Sequence, residues 1–246
     1  MDIREKIKLD YEGLIAGGPI NVVFLGDSVT HGAFSSGEFD YDAVYHRVFA
    51  KMVSSIRAYV PVNAINSGIG ATNARQGLER LDRDVIAYHP DLVVVCFGLN
   101  DVNGDFEKFK SSLAGIFSRL TSLGIETIFM TPNMLNTYPI SDPDAPAAGY
   151  SHTTATKQTN GMMDAFMDAA REIAAAHGVK VADAYAEWKK LSETCDTTLL
   201  LANRINHPTK EMHKLFARVL FKTVFGDTYE CTLPEESAMY RGADKK

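Results

Sequence analysis

Short apolar runs alternate with longer amphipathic segments along most of this chain, and this alternation constrains the fold more than any other feature. The apolar runs lie at 21–26, 62–66, 91–98, 126–131 and 180–184. The amphipathic segments lie at about 42–58, 73–87, 105–123, 155–177 and 208–224. Such a pattern predicts a parallel sheet with crossover helices. Because the run Leu92–Phe97 is apolar at every position, we predict a central strand that is covered on both faces.

The length and the remaining segments fit one α/β unit. We predict a single domain over residues 1–246, with its core at about 20–226 and a polar C-terminal tail at 227–246, because α/β folds commonly reach this length without splitting. Residues 136–154 contain three prolines and little periodicity, so we predict a long loop near the carboxyl end of a strand. Pro208 suits the first turn of the last helix, which is therefore predicted to start directly behind His207.

Composition limits the partners. The chain is 46% hydrophobic and 23% charged, as in ordinary globular proteins. Its formal charge of −6 and pI near 5.6 disfavour nucleic acid or an anionic membrane surface as a partner. The charged N-terminus and the lack of a long apolar run predict neither a signal peptide nor a membrane span, hence a cytoplasmic protein unless a leader has been removed. Three widely spaced cysteines suggest no disulfide framework.

Four polar stretches fall at predicted strand ends or on the matching rim of the sheet: GDSVT, NSGIGAT, GLND and NRINHP. Ligands of parallel α/β sheets bind at this edge. Ser28 could supply a nucleophile, and His207 could act as base and then acid near neutral pH. The backbone N–H of Gly70 and the side-chain amide of Asn100 are suitable donors to an oxyanion. Together these residue types indicate acyl transfer.

These four ordered blocks resemble those of the SGNH hydrolases, also called GDSL-type esterases and lipases. The resemblance spans roughly residues 20–225. It implies a flavodoxin-like α/β/α sandwich of three layers with a central five-stranded parallel sheet. It also implies ester hydrolysis through an acyl-serine at Ser28, with His207 as the base and with the N–H groups of Ser28 and Gly70 and the amide of Asn100 as the oxyanion hole.

One position departs from the family pattern. The family usually has an aspartate three residues before the histidine to orient its ring, but here Arg204 occupies that position. An arginine cannot accept a hydrogen bond. We therefore predict a Ser28–His207 dyad whose ring is oriented by a neutral acceptor, either the amide oxygen of Asn203 or a backbone carbonyl of the same loop.

Several alternatives stay open from the sequence. Ser28 could simply cap a helix, and the turn after the first strand could hold the phosphate of a flavin in a non-catalytic flavodoxin-like protein. A degenerate SGNH scaffold that binds carbohydrate is a further alternative, as is a lysophospholipase or thioesterase of the same family. Asp27 and Asp101 are interpreted as structural residues, and His31 and His152 as candidates to line the pocket.

The preferred substrate is a short-acyl ester, most simply an acetyl ester, of a carbohydrate or another small alcohol. The predicted loop at 136–154 is polar and offers few large apolar residues for a fatty chain. The histidine spacing suggests no metal, and no cofactor is expected. An exposed apolar patch on an edge helix would serve a homodimer, but the sequence does not determine the oligomeric state.

Overall fold

A central parallel sheet organises the molecule. The computed structural model describes residues 1–227 and 229. Its five strands are β1 (Ile20–Gly26), β2 (Val62–Gly68), β3 (Leu92–Cys96), β4 (Glu126–Met130) and β5 (Lys180–Ala182), and all neighbouring pairs are parallel in the order β2-β1-β3-β4-β5. All five predicted strands are therefore confirmed, and their carboxyl ends share one edge.

Burial along the strands follows their place in the sheet. Every residue of β3 is buried, as predicted from its unbroken apolar run, and β1 between β2 and β3 is almost as fully covered. The edge strands β2 and β5 are only partly buried. Gly26 ends β1 opposite both Gly68 of β2 and Cys96 of β3, so three chain segments leave the sheet at the same level.

Helices cover both faces of the sheet, which gives the three-layer α/β/α architecture. The α-helices are α1 (Ile3–Lys6), α2 (Tyr11–Gly17), α3 (Ser28–His31), α4 (Tyr45–Ile56), α5 (Ala74–Glu79), α6 (Leu81–Asp84), α7 (Phe106–Ser122), α8 (Ala148–Thr159), α9 (Met162–Ala176), α10 (Ala184–Ser192) and α11 (Lys210–Phe225). Short 3-10 helices lie at Ile86–Tyr88, Asp101–Asn103 and Thr197–Leu200. Helices α4 and α11 pack together on one face, while α5, α7 and α9 pack on the other.

Three helix predictions are wrong in detail. The predicted helix at 155–177 is two helices, because Gly161 adopts a left-handed conformation between α8 and α9. Since α8 begins at Ala148, the predicted loop at 136–154 ends seven residues early. Pro208 pairs with Leu201 in an isolated antiparallel bridge, so α11 starts at Lys210 rather than directly behind His207. The predicted tail lies outside the described residues, apart from Asp227 and Tyr229.

The N-terminal helix α1 was not predicted, and it closes the end of the sheet opposite the four polar stretches. Ile3 is fully buried on it. Lys6 Nζ lies 2.7 Å from a carboxylate oxygen of Asp91, which also accepts a hydrogen bond from the backbone of Asn21 at 2.8 Å. The ion pair thus ties α1 to the segments that lead into β1 and β3.

Candidate active site

Ser28 lies where β1 turns into the short helix α3. Its neighbour Asp27 is the N-cap residue, and the Asp27 carboxylate accepts the backbone N–H of Val29 at 2.9 Å. On the next turn, the buried Thr30 hydroxyl pairs with the Tyr45 hydroxyl at 2.9 Å, and this contact fixes α3 against α4. The capping role that the sequence suggested for this turn belongs to Asp27, so the Ser28 hydroxyl is free for another contact.

That contact is His207. Ser28 Oγ lies 2.9 Å from His207 Nε2, and His207 Nδ1 lies 2.9 Å from the backbone carbonyl oxygen of Phe34. A carbonyl oxygen only accepts hydrogen bonds, so Nδ1 must carry the ring proton of the neutral imidazole. Nε2 then has its lone pair free to accept the serine proton. The geometry therefore selects the tautomer that a general base needs.

The neutral acceptor comes from a different place than the sequence suggested. Asn203 does not contact the ring of His207. Its side-chain oxygen instead accepts three successive backbone N–H groups, those of residues 205–207, at 2.9–3.0 Å. Asn203 thereby shapes the 201–209 turn, defined as the segment that carries the histidine. The prediction that its amide oxygen orients the ring is thus not what the structure shows, and the acceptor is a backbone carbonyl of another loop.

Arg204 also points away from the histidine. Its backbone is in the left-handed region with φ of 59°, and its exposed side chain lies beside the 3-10 helix, with Nη1 3.4 Å from the carbonyl oxygen of Thr198. There it lines a cavity of about 220 Å³ together with Tyr138 and Ile140. The side chain of an aspartate at position 204 would therefore be directed toward residues 138–141 and not toward His207.

Residues 32–44, which we call the 32–44 loop, supply this carbonyl and are held in place by several contacts. The N–H of Phe34 donates to the carbonyl of Glu38 at 3.0 Å, Ala33 bridges Phe39, and the Phe34 ring is buried against His213 with centroids 5.0 Å apart. Sequence reasoning missed Phe34 because its contribution is made by the main chain, which leaves no signature in residue type.

The two candidate oxyanion donors lie on the neighbouring loops. A Cβ built on Gly70 would be 3.9 Å from Ser28 Cβ, so this stretch of backbone faces the serine. The Gly70 N–H donates to His31 Nδ1 at 3.3 Å. The side chain of Asn100 donates one of its two amide hydrogens to the carbonyl of Thr72 at 2.8 Å, which ties the second and third loops together.

Close backbone packing fixes the second loop. A Cβ on Gly68 would lie 2.6 Å from the carbonyl carbon of Thr30, far inside contact distance, so only glycine fits there. The buried guanidinium of Arg80 donates to the carbonyls of Gly26 at 3.0 Å and Ser67 at 2.6 Å. Arg80 thus joins the ends of β1 and β2, and sequence reasoning missed this role because an arginine on an amphipathic segment is usually solvated.

Burial sets the electrostatics of the site. Desolvation lowers the pKa of His207, although the hydrogen bond to the Phe34 carbonyl opposes the shift. The ring is therefore neutral at neutral pH. Burial raises the pKa of Asp27 to about 7 and that of Asp101 to about 6, and the charge of Asp101 adds to the shift at Asp27. Both carboxylates accept backbone N–H groups, in keeping with the structural roles predicted for them.

The other candidate residues are not hydrogen-bonded to Ser28 or His207. Asp183, an acidic residue directly after β5, binds the Arg171 guanidinium at 2.8 Å and the Thr131 hydroxyl at 2.9 Å. His31 does reach the site through Gly70, whereas His152 is exposed on α8. Within residues 1–227 and 229, no group of three or more His, Cys, Asp or Glu side chains is placed to hold a metal ion.

Comparison with known proteins agrees with this geometry. Residues 24–215 match the GDSL-like Lipase/Acylhydrolase family, and this region includes Ser28, Gly70, Asn100 and His207. The chain belongs to that family. It is a hydrolase that acts on ester bonds, with the three-layer fold of the SGNH hydrolases, as the sequence predicted.

Individual proteins of known name or structure are also similar to this chain. A curated acetylxylan esterase from Geobacillus stearothermophilus is 25% identical over 218 residues, which are 85% of this chain and 95% of that protein. Among solved structures, Axe2, an acetylxylan esterase from the same organism, matches with a TM-score of 0.65 and 21% identity over 83% of this chain and 94% of that one. LAE5, an alpha/beta hydrolase enzyme from the metagenome of Lake Arreo in Spain, matches with a TM-score of 0.65 and 19% identity over 84% and 95%.

Over residues 1–227 and 229, no helix combines the length and the apolar character that crossing a membrane requires.

Proposed function

We propose that this chain hydrolyses a short-acyl ester, most simply an acetyl ester, of a carbohydrate or similar small alcohol through an acyl-serine at Ser28. The observation that carries the proposal is the line of contacts from the Ser28 hydroxyl to His207 Nε2 and from Nδ1 to the Phe34 carbonyl, 2.9 Å each. The acetyl and carbohydrate parts rest on the named activity of the curated relative.

Each step of the reaction has a residue suited to it. As Ser28 Oγ attacks the ester carbon, its proton passes to His207 Nε2, and the Phe34 carbonyl steadies the imidazolium that forms. The carbonyl oxygen becomes an oxyanion, and its proposed donors are the N–H groups of Ser28 and Gly70 and the second amide hydrogen of Asn100. The imidazolium then protonates the leaving alcohol, and water repeats the sequence to release the acid and restore the serine.

The oxyanion site requires one local change before it can act. Because the Gly70 N–H donates to His31 Nδ1, the substrate oxygen must replace the imidazole nitrogen as the acceptor. The exchange trades one hydrogen bond of 3.3 Å for a stronger one to a charged oxygen. The gain is thus made as negative charge develops, which is the condition for catalysis rather than mere substrate binding.

Wild-type protein and Ser28→Ala should be compared on an acetylated xylo-oligosaccharide and on the ethyl esters of acetic, butyric and octanoic acid, followed by acid release. Ser36→Ala is a matched control because Ser36 is an exposed serine of the 32–44 loop. We expect turnover of the acetyl substrates by wild type and Ser36→Ala, no turnover by Ser28→Ala, and one phosphonate adduct by intact mass wherever Ser28 is present. Rates that rise steeply from acetate to octanoate would refute the short-acyl assignment, and full activity of Ser28→Ala would refute the nucleophile.

A further inference from the structure

An unusual group of exposed aromatic side chains lies beside the candidate nucleophile. We call His31, Phe39 and Tyr41 the aromatic cluster. Phe39 is 48% exposed and Tyr41 is 55% exposed. Their rings are stacked with centroids 6.4 Å apart, and the His31 ring lies 5.0 Å from Phe39 and 6.0 Å from Tyr41. A contiguous patch of exposed aromatic side chains is typical of a ligand-binding or interaction surface.

The cluster is continuous with the active site. His31 lies one helical turn after Ser28 on α3, and its Nδ1 accepts the N–H of Gly70 at 3.3 Å. Next to Gly70, Ile69 is 42% exposed and extends the apolar surface. The Gly70 position, which is close to both Ser28 Cβ and His31 Nδ1, therefore joins the candidate nucleophile to the His31 end of the cluster.

The 32–44 loop connects Phe39 and Tyr41 of the cluster to His207, the residue that must protonate the leaving alcohol. His207 has to protonate the departing oxygen, so that oxygen must lie next to His207 Nε2. The same 32–44 loop that orients His207 through Phe34 carries Phe39, which bridges Ala33 one residue away. Because an acetyl group is too small to extend far from Ser28, the alcohol is the part of the substrate that can reach the cluster.

The surroundings of the cluster match a ring with an apolar face and a polar edge. Lys210 Nζ lies 2.8 Å from Asp40 and 3.3 Å from Glu38, and Asp42 is highly exposed, so charged side chains flank Phe39 and Tyr41 along the loop. A pyranose ring presents C–H groups on its face and hydroxyls around its rim. Aromatic rings combined with a wet polar rim complement that shape.

We infer that the aromatic cluster is the subsite that stacks on the sugar ring carrying the acyl group, with Phe39 and Tyr41 as the specificity-determining residues. This inference rests on the proposed function and adds the place and chemistry of its alcohol subsite. His31 connects the proposed oxyanion site to the sugar subsite. In the free protein its Nδ1 accepts the Gly70 N–H, and its ring packs on Phe39.

The test compares a substrate with a sugar ring and one without. For each protein we would measure kcat/KM on an acetylated xylo-oligosaccharide and on ethyl acetate, and take the ratio of the two values. We expect Phe39→Leu and Tyr41→Ala each to lower that ratio about tenfold, which corresponds to ~1.4 kcal/mol. Phe39→Tyr should keep the wild-type ratio because it preserves an aromatic face. Tyr88→Ala, which removes an equally exposed tyrosine from the opposite end of the sheet, should also keep it.

The outcomes separate this inference from the proposed function. If wild type hydrolyses both substrates and the Phe39 and Tyr41 variants keep its ratio, the subsite is refuted while the proposed function stands. If those variants lose activity on ethyl octanoate rather than on the sugar ester, the cluster holds an acyl chain and the assignment is overturned. If wild type hydrolyses ethyl acetate but not the sugar ester, the carbohydrate part of the proposed function fails and the sugar subsite fails with it.

Discussion

The buried carboxyl group next to the proposed nucleophile gives a sharp prediction about stability and pH. Asp27 is 1% exposed, and burial raises its pKa from the ordinary 3.8 to about 7. The folded protein therefore keeps the proton up to higher pH than the unfolded chain, which loses it near the ordinary value. The unfolded state binds fewer protons between these values, so the Asp27 contribution to stability falls as pH rises from about 4 to about 7.

The size of the effect follows from the same two values. A change from 3.8 to about 7 corresponds to roughly 4 kcal/mol over the whole titration. Between about pH 5 and about pH 8.5, part of this is already lost at the lower pH, and roughly 3 kcal/mol remains to be measured. Two buried histidines act in the opposite direction, because burial lowers the pKa of His46 to about 4 and that of His213 to about 3. The wild-type pH profile alone therefore does not isolate Asp27.

Asp27→Asn isolates it, because asparagine keeps the oxygen that accepts the Val29 N–H and cannot ionise. We would measure the free energy of unfolding of wild type and variant by urea denaturation at the two pH values. The wild type should lose roughly 2–3 kcal/mol more than the variant on going to the higher pH. Asp42→Asn, which removes an exposed carboxyl, is the control and should behave as wild type. A difference below about 0.5 kcal/mol, or one of opposite sign, would show that Asp27 is already ionised in the folded protein.

Four further predictions concern the site. Arg204→Asp should leave kcat/KM on an acetyl ester within about threefold of wild type, because the position-204 side chain lies toward Thr198 and the histidine already has its acceptor; a gain of tenfold or more would contradict this. Asn203→Ala should lower stability by ~1–3 kcal/mol and reduce kcat, since three backbone N–H groups lose their acceptor; denaturation and initial rates test it. Gly68→Ala should lower stability by about 1–3 kcal/mol in thermal unfolding, because its Cβ would overlap the backbone of α3. The apparent pKa of the acid limb of kcat/KM should lie below the ordinary histidine value of about 6.5, because the proposed base is the neutral form of His207 and burial lowers the pKa of that ring.

The strand layout was predictable because each strand carries its own signal. Buried parallel strands need unbroken apolar runs, and β3 is the strongest case. The helix at 155–177 failed for a reason that was also present in the sequence. Asn160-Gly161 is a common breaker, but the amphipathic pattern on both sides outweighed it. α1 was missed because a four-residue helix is too short to show a period.

The site divides in the same way. Ser28 and His207, predicted from side-chain chemistry as a pair, lie in contact, since the ends of parallel strands must meet at one edge. The orienting acceptor could not be predicted from residue types, because Phe34 contributes a main-chain oxygen and its distance along the sequence from His207 carries no signal. Arg80 was likewise set by tertiary packing rather than by any local pattern, whereas His31, named as a candidate to line the pocket, does reach Gly70.

An alanine scan of this enzyme would not detect the Phe34 carbonyl oxygen, the acceptor for His207 Nδ1. Every residue, proline included, carries the same backbone carbonyl group, so no ordinary substitution at position 34 deletes the acceptor, and side-chain changes there would be scored as packing effects. The main-chain acceptor also leaves position 204 free to vary without direct cost to the histidine. Chemical synthesis offers the direct probe: an ester in place of the amide between residues 34 and 35 would weaken that single oxygen as an acceptor while every side chain stays the same.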